Sequence, residues 1–239
     1  MQPNPLFIAC DFSSRAELDQ FLKEMEGRHL HLKVGMELFY KEGPEIVHAL
    51  KEKGHSVFLD LKLHDIPETV KRSMIQLAAL GADLVNVHAS GGIRMMEAAM
   101  EGLHQGTPKG QAIPSCIAVT QLTSTSALMM NEELKIAGFL EDQVRHLAGL
   151  AMQAGLKGVV CSSMETEMLK AAYPSIWTLT PGIRLKGSDA GDQVRVCTPG
   201  EARQAKTDAI VVGRGITRAE DRLQAYEHYI KEWVGYDNQ

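Results

Sequence analysis

The run Phe58-Leu59-Asp60-Leu61-Lys62-Leu63-His64-Asp65-Ile66-Pro67 decides the fold. Successive side chains of a strand point to opposite faces, so Leu59, Leu61 and Leu63 share one face and Asp60 and Lys62 share the other. The leucine face suits packing against helices. The other face turns an aspartate and a lysine into the protein, where an unpaired charge costs several kcal/mol of lost hydration.

Seven more apolar runs accompany residues 57–63, at 6–10, 31–34, 84–87, 112–119, 158–161, 176–180 and 209–212. Most are near-continuous Val, Ile and Leu with little polar alternation. That is how parallel strands buried on both faces read. Between them lie stripes with helical spacing: Leu18, Phe21, Leu22 and Met25; Ile46, Val47 and Leu50 after Pro44; Val70, Met74 and Leu77; Val144, Leu147, Ala148 and Ala151; and Leu223, Tyr226, Ile230 and Trp233. Each stripe is expected to pack on the core. Eight strand–helix units in 239 residues predict one α/β domain over residues 1–239, a (β/α)8 TIM barrel. An open doubly wound sheet would carry a glycine-rich first turn, whereas the first strand here runs into Cys10-Asp11-Phe12-Ser13-Ser14. The glycine-bearing stretch 187–191 is a candidate lid.

Composition narrows the function. The net charge is −5, and an acidic surface repels a nucleic-acid polymer. The four cysteines, Cys10, Cys116, Cys161 and Cys197, are too widely spaced for a disulfide framework or zinc site and predict reduced thiols in a cytoplasmic protein. Residues 1–10 do not read as a signal peptide. The uncharged stretch 110–131 carries too many hydroxyl and amide side chains for a membrane span and reads as a strand plus a loop.

In such a barrel, polar residues at the C-terminal strand ends form the active site. Asp11 and Lys33 join Asp60 and Lys62 there, four alternating charges that read as a built electrostatic environment. Strands seven and eight end in Thr180-Pro181-Gly182-Ile183-Arg184 and Val212-Gly213-Arg214-Gly215-Ile216-Thr217, the usual phosphate position. There Gly213 and Gly215 would let main-chain N–H groups approach an anion. His64 and His88 read as packing or hydrogen-bonding residues. His29 and His31 have no carboxylate or cysteine at ligand spacing, so no metal site is expected. No P-loop, Gly-x-Ser-x-Gly or His-Glu-x-x-His motif occurs.

On these residues the chain resembles the orotidine 5′-monophosphate decarboxylase family. Its Asp-x-Lys-x-x-Asp signature is Asp60, Lys62 and Asp65. Lys33-Val34-Gly35, Val119-Thr120-Gln121-Leu122-Thr123-Ser124, Thr180-Pro181-Gly182-Ile183-Arg184 and Val212-Gly213-Arg214 follow in family order over nearly the whole chain. The resemblance implies metal-free and cofactor-free loss of CO2 from C6 of the orotate ring. Lys62 would stabilise the carbanion and protonate it. Asp60 would hold Lys62 near the departing carboxylate, and Asp11 and Lys33 would bind the ribose. Thr123 would meet the pyrimidine edge, and Pro181 and Thr69 would join the substrate-binding set. Arg184, Gln193, Gly213 and Arg214 would grip the phosphate, and Gln193 would carry the lid down with it. Asp65 and Ile66 would cross a twofold axis into the partner's site, making a homodimer with shared active sites.

Two rivals share features of this pattern. Relatives with the same signature use Mg2+ to stabilise an enediolate, with a Glu-like residue at the position of Lys33, where a lysine would repel the ion. A regulatory barrel that only binds a phosphorylated metabolite would need Arg184 and Arg214 but not Lys62.

Overall fold

The structure, a computed structural model, describes residues 4–187 and 196–235. Eight parallel strands pair in chain order and close on themselves. They are β1 (Leu6–Ala9), β2 (His31–Gly35), β3 (Ser56–Leu63), β4 (Leu84–His88), β5 (Ser115–Val119), β6 (Gly158–Val160), β7 (Trp177–Thr180) and β8 (Ala209–Val212). Closure is direct: Leu6, Phe7 and Ile8 of β1 stand opposite Ile210, Val211 and Val212 of β8. This is the TIM barrel expected from the eight apolar runs.

Around the barrel lie α1 (Arg15–Glu24), α2 (Met36–Glu42), α3 (Glu45–Glu52), α4 (Pro67–Ala79), α5 (Ile93–Gly106), α6 (Ala127–Glu132), α7 (Leu140–Gln153), α8 (Ser163–Ala172), α9 (Pro199–Gln204), α10 (Arg214–Thr217) and α11 (Arg222–Val234). Their starts are written in the sequence. Ser162 and Thr198 form reciprocal capping boxes with Glu165 and Glu201, and Asp221 accepts the Gln224 N–H at 2.8 Å. No helix among the described residues is long and apolar enough to cross a membrane.

The strands sort their side chains into two cores. Val57, Leu59 and Leu61 of β3 join Ile8, Leu32, Val85 and Ile210 in the layer between strands and helices. Phe7, Ala9, Phe58, Leu84, Ile117, Leu179, Ala209 and Val211 form a second cluster that plugs the barrel itself. Phe7 and Phe58 meet edge to face at 5.7 Å. On β3 the next inward residue beyond Phe58 is Asp60, and on β4 the next beyond Leu84 is Asn86. The apolar plug is therefore the floor on which a polar layer sits.

Three expectations are corrected. Strand β5 starts at Ser115, so residues 112–114 lie outside it; Pro114 has no N–H to give a ladder. The uncharged stretch 110–131 holds a helix turn as well as strand and loop, because Ser126 caps α6 by accepting the Met129 N–H. On α11 the deeply buried pair is Tyr229 and Trp233, with Leu223, Tyr226 and Ile230 only partly covered. The other stripes are buried as read.

Candidate active site

A cavity of about 760 Å³ opens at the C-terminal ends of the strands, within the ~300–1,000 Å³ usual for small-molecule sites. Its floor is the apolar plug, through Ala9, Phe58, Leu179 and Val211. Its wall on the β1–β3 side is charged. Lys33 Nζ lies 3.3 Å from Asp11 Oδ1 and 3.1 Å from Asp60 Oδ2, and Lys62 Nζ lies 2.6 Å from Asp60 Oδ1. The four charges form one chain, Asp11–Lys33–Asp60–Lys62, with its middle members buried (side chains 11% exposed at Lys33 and 12% at Asp60) and its ends more open (61% at Asp11 and 27% at Lys62).

Register explains the convergence. Ala9 pairs with Lys33, Lys33 with Phe58 and Gly35 with Asp60, so each charge emerges beside the next. Gly35 matters because a Cβ there would sit 3.2 Å from Asp11 Oδ1 and 3.6 Å from Lys33 Nζ. Burial opposes the charge on Lys33, but the carboxylates of Asp60 and Asp11 outweigh it and hold its pKa above the ordinary lysine value. Burial likewise works against ionised Asp60. The ammonium groups of Lys33 and Lys62, with hydrogen bonds from Lys62 and Asn86, overcome it and depress its pKa. Lys33 and Asp60 are therefore ionised near neutrality. Beneath them, burial pushes the Cys10 thiol up to about 12 despite nearby Lys33, which leaves it protonated and non-nucleophilic.

The opposite wall carries Thr123, Gln121 and Ser124 after β5, and Pro181 and Arg184 after β7. Gly213, Arg214 and Arg218 lie beyond β8. Nine of the expected residues thus share one cavity: Asp11, Lys33, Asp60, Lys62, Thr123, Pro181, Arg184, Gly213 and Arg214. Asp65, Ile66 and Thr69 do not line it. They are exposed, with Ile66 67% accessible, and Asp65 Oδ1 accepts the Ile66 N–H at 2.6 Å. Gln193 and all but the start of the candidate lid 187–191 lie outside the described residues. Gly215 has a packing reason of its own: a Cβ there would stand 2.1 Å from the Tyr229 hydroxyl, so packing on α11 requires the glycine. That same hydroxyl accepts the Leu185 N–H at 3.3 Å, beside Arg184.

His64 and His88 stack obliquely at 5.6 Å next to the charged wall. Burial and the neighbouring His64 and Lys62 lower the pKa of His88, which favours the neutral ring. Among the described residues no three His, Cys, Asp or Glu side chains converge as a metal set.

Sequence reasoning missed Asn86, Glu37, Thr217 and Arg218. Only Asn86 left a signal, as an amide at an inward position of an otherwise apolar strand, Leu84-Val85-Asn86-Val87. A second cavity of about 710 Å³ at the opposite barrel end is lined by Lys51, Asp83 and Lys157 among others. Asp83 there is engaged by Lys51 Nζ at 2.6 Å and by the Val57 N–H at 2.7 Å, which accounts for its charge structurally.

A closed parallel barrel with paired acids and bases at the strand ends, and arginines after β7 and β8, defines the chain as a TIM-barrel enzyme. Residues 4–229 match the model of the orotidine 5′-phosphate decarboxylase / HUMPS family. An orotidine 5′-phosphate decarboxylase of Geobacillus sp. (strain WCH70) is 55% identical over 233 residues, covering 97% of this chain and 98% of the relative. One of Bacillus cytotoxicus is 54% identical over 231 residues, covering 96% and 97%. Among solved structures, orotidine 5′-phosphate decarboxylase from Lactobacillus acidophilus superposes with a TM-score of 0.87 at 38% identity, covering 96% of this chain and 99% of that one. A Geobacillus kaustophilus structure titled an uncharacterized conserved protein gives 0.86 at 51% identity, covering 96% and 100%. The chain belongs to the orotidine 5′-phosphate decarboxylase family and is a carboxy-lyase.

Proposed function

We propose that the chain converts orotidine 5′-monophosphate to uridine 5′-monophosphate and CO2, the decarboxylation of de novo pyrimidine biosynthesis, in the cytoplasm and without metal or organic cofactor. The observation that carries this reading is the alternating chain Asp11–Lys33–Asp60–Lys62. Breaking the C6–carboxylate bond leaves its electron pair in an sp2 orbital on C6, which the ring delocalises poorly. A fixed cation at C6 is the remedy, and Lys62 is a cation already aimed and paired. It then transfers a proton to C6, and water restores the ammonium. Asp60 keeps Lys62 in place from the side facing the departing carboxylate. Lys33, linked to Asp11 and Asp60, favours the ionised form of Asp60 and reaches the ribose with Asp11. Thr123 and Pro181 flank the base, and Arg184, Gly213, Arg214 and Gln193 hold the phosphate.

Two ammonium groups in the charged wall disfavour a divalent ion there, which speaks against the Mg2+-dependent rival. The exposed Asp65 and Ile66, close in sequence to Lys62 yet outside its cavity, support a homodimer in which these residues complete the partner's site. The deciding experiment is the loss of orotate ultraviolet absorbance from orotidine 5′-monophosphate after exhaustive EDTA treatment. Undiminished turnover is the expected result. A loss restored by Mg2+ refutes the metal-free reading.

A further inference from the structure

Strand β3 is irregular at the site. Leu59 pairs with Val85 and Leu63 with Val87, so four residues of β3 advance while β4 advances two. Asp60, Leu61 and Lys62 are left in a bulge. Lys62 has φ +51°, a left-handed conformation that costs an ordinary L residue on the order of 1–2 kcal/mol. The other non-glycine residues with positive φ among those described, Asn4, Lys135 and Lys206, lie outside strands.

Asn86 fills the gap in the ladder. It is 1% exposed and belongs to β4. Its Oδ1 accepts the Lys62 main-chain N–H at 2.8 Å, replacing the missing carbonyl of the neighbouring strand. Its Nδ2 donates to Asp60 Oδ1 at 2.7 Å, the same oxygen that receives Lys62 Nζ at 2.6 Å. One amide thus grips both ends of the ion pair. A buried amide with both of its ends used is a fixed object.

We propose that Asn86 is the positioning residue of the charge chain: it stabilises the left-handed turn at Lys62, fixes the Asp60 carboxylate, and so sets the direction in which Lys62 Nζ is presented to the reacting carbon. This rests on the decarboxylase reading above. Asn86 touches no substrate atom in this role. Its absence lets the bulge relax toward regular strand and lets Lys62 swing, a displacement of a kind that costs ~100-fold in rate when it is about 1 Å.

The test is Asn86→Leu, which keeps the branched outline of the side chain and removes both hydrogen bonds. Turnover of orotidine 5′-monophosphate is measured per site, with sites counted by calorimetric titration with uridine 5′-monophosphate. The expected kcat per site falls ~10- to 100-fold while KM stays within about threefold. A merely structural role would lower the number of sites and leave kcat per site intact, and that result overturns the proposal, as does a KM that rises as far as kcat falls. Absence of turnover in the unaltered protein would refute the decarboxylase reading instead, so the two failures are distinguishable.

Should Asn86→Leu not fold, Asn86→Asp decides. Its carboxylate can still accept the Lys62 N–H but repels Asp60; once protonated it donates to Asp60 again. The other charged or titratable groups around that point are Lys62 on β3, Lys33 on β2, Asp11 after β1, and His88 and His64 beside β4. All are shared with the unaltered protein. The ratio of kcat in Asn86→Asp to that in the unaltered protein is therefore expected to rise as pH falls. A flat ratio overturns the proposal.

Discussion

On the function proposed above, Lys62→Ala would remove the cation assigned to meet a carbanion at C6, and its cost follows from Coulomb's law at contact distance. An ammonium within about 3 Å of a developing unit charge, at an effective dielectric of ~20, contributes about 5–6 kcal/mol, or ~10⁴ in rate. Loss of the general acid removes a further ~10²–10⁴. Together they put kcat some ~10⁶-fold or more below the parent. The fold is expected to survive. Asp60 keeps Lys33 at 3.1 Å and Asn86 at 2.7 Å, so its charge is not left unpaired, and Lys62 is itself only partly buried. Binding of uridine 5′-monophosphate, assigned in the proposed function to the arginines and the Asp11–Lys33 end of the chain, is expected to change by less than about tenfold. The assay pairs the orotate absorbance change with calorimetric affinity for uridine 5′-monophosphate. Turnover within about a thousandfold of the parent would refute the assignment, because no misplacement of substrate alone accounts for the missing cation. Loss of product binding equal to the loss of turnover would refute it in another way, by making Lys62 a uniform binding residue.

Two further expectations concern assembly and the barrel floor. Lys62→Ala and Asp65→Ala are each expected to be nearly inactive; after subunit exchange an equal mixture should recover roughly a quarter of parental activity, since half the dimers carry one intact shared site. No recovery after exchange is demonstrated by mass spectrometry would place Asp65 in its own chain's site. His31 is buried beside Phe7 with neither ring nitrogen hydrogen-bonded among the described residues, and burial with the nearby His29 pushes its pKa down to about 4, with Asp83 opposing. The unfolded chain binds this proton near pH 6.5 and the folded chain only near 4, so stability is full above 6.5 and declines as pH falls between those values, by about 2 kcal/mol after allowance for solvent screening. Urea midpoints of the parent and His31→Phe, compared at pH 7.5 and 4.5, should differ in pH dependence by that amount.

The barrel was legible because its cause lies in composition along the chain. Strands covered by helices outside and by a side-chain plug inside have no solvent face, so their sequences lose polar alternation. The charged wall was legible for the complementary reason: Asp60 and Lys62 break that rule on one face only. What spacing could not supply is the path of the backbone between them. Period-two logic assumes an ideal strand, and residues 60–62 are bulged, with Lys62 left-handed. Lys62 reaches Asp60 through that irregularity rather than through alternation. Asn86 stood out only as an amide in an apolar strand; its partners were hidden for the same reason, since they are set by a pairing between strands. Gly215 shows the limit of motif logic: a glycine near an expected phosphate invites an anion argument, while its packing against the Tyr229 hydroxyl on α11, which excludes a Cβ, was not legible. The turn at Asp65 and Ile66 was read only through family resemblance, because nothing local distinguishes an exposed loop from one that a second chain covers.

Net charge and site charge act on different scales. The whole chain carries −5. Among the described residues, the cavity lining has five cations, Lys33, Lys62, Arg184, Arg214 and Arg218, against three carboxylates, Asp11, Glu37 and Asp60. The four-membered chain is neutral in itself, so the surplus lies with the arginines after β7 and β8. On the function proposed above, a nucleotide with about two negative charges on its phosphate would be drawn in at the arginine end. Its carboxylate would then meet a wall that is balanced before binding and holds an acid, Asp60. Binding energy gathered at the phosphate would offset that unfavourable approach. With the departure of CO2 the carboxylate charge would leave Asp60 and an electron pair would appear beside Lys62, so the same fixed array would suit the transition state better than the ground state. Such an array works only if Asp60 and Lys62 are held in fixed positions, and the bulge braced by Asn86 supplies that rigidity.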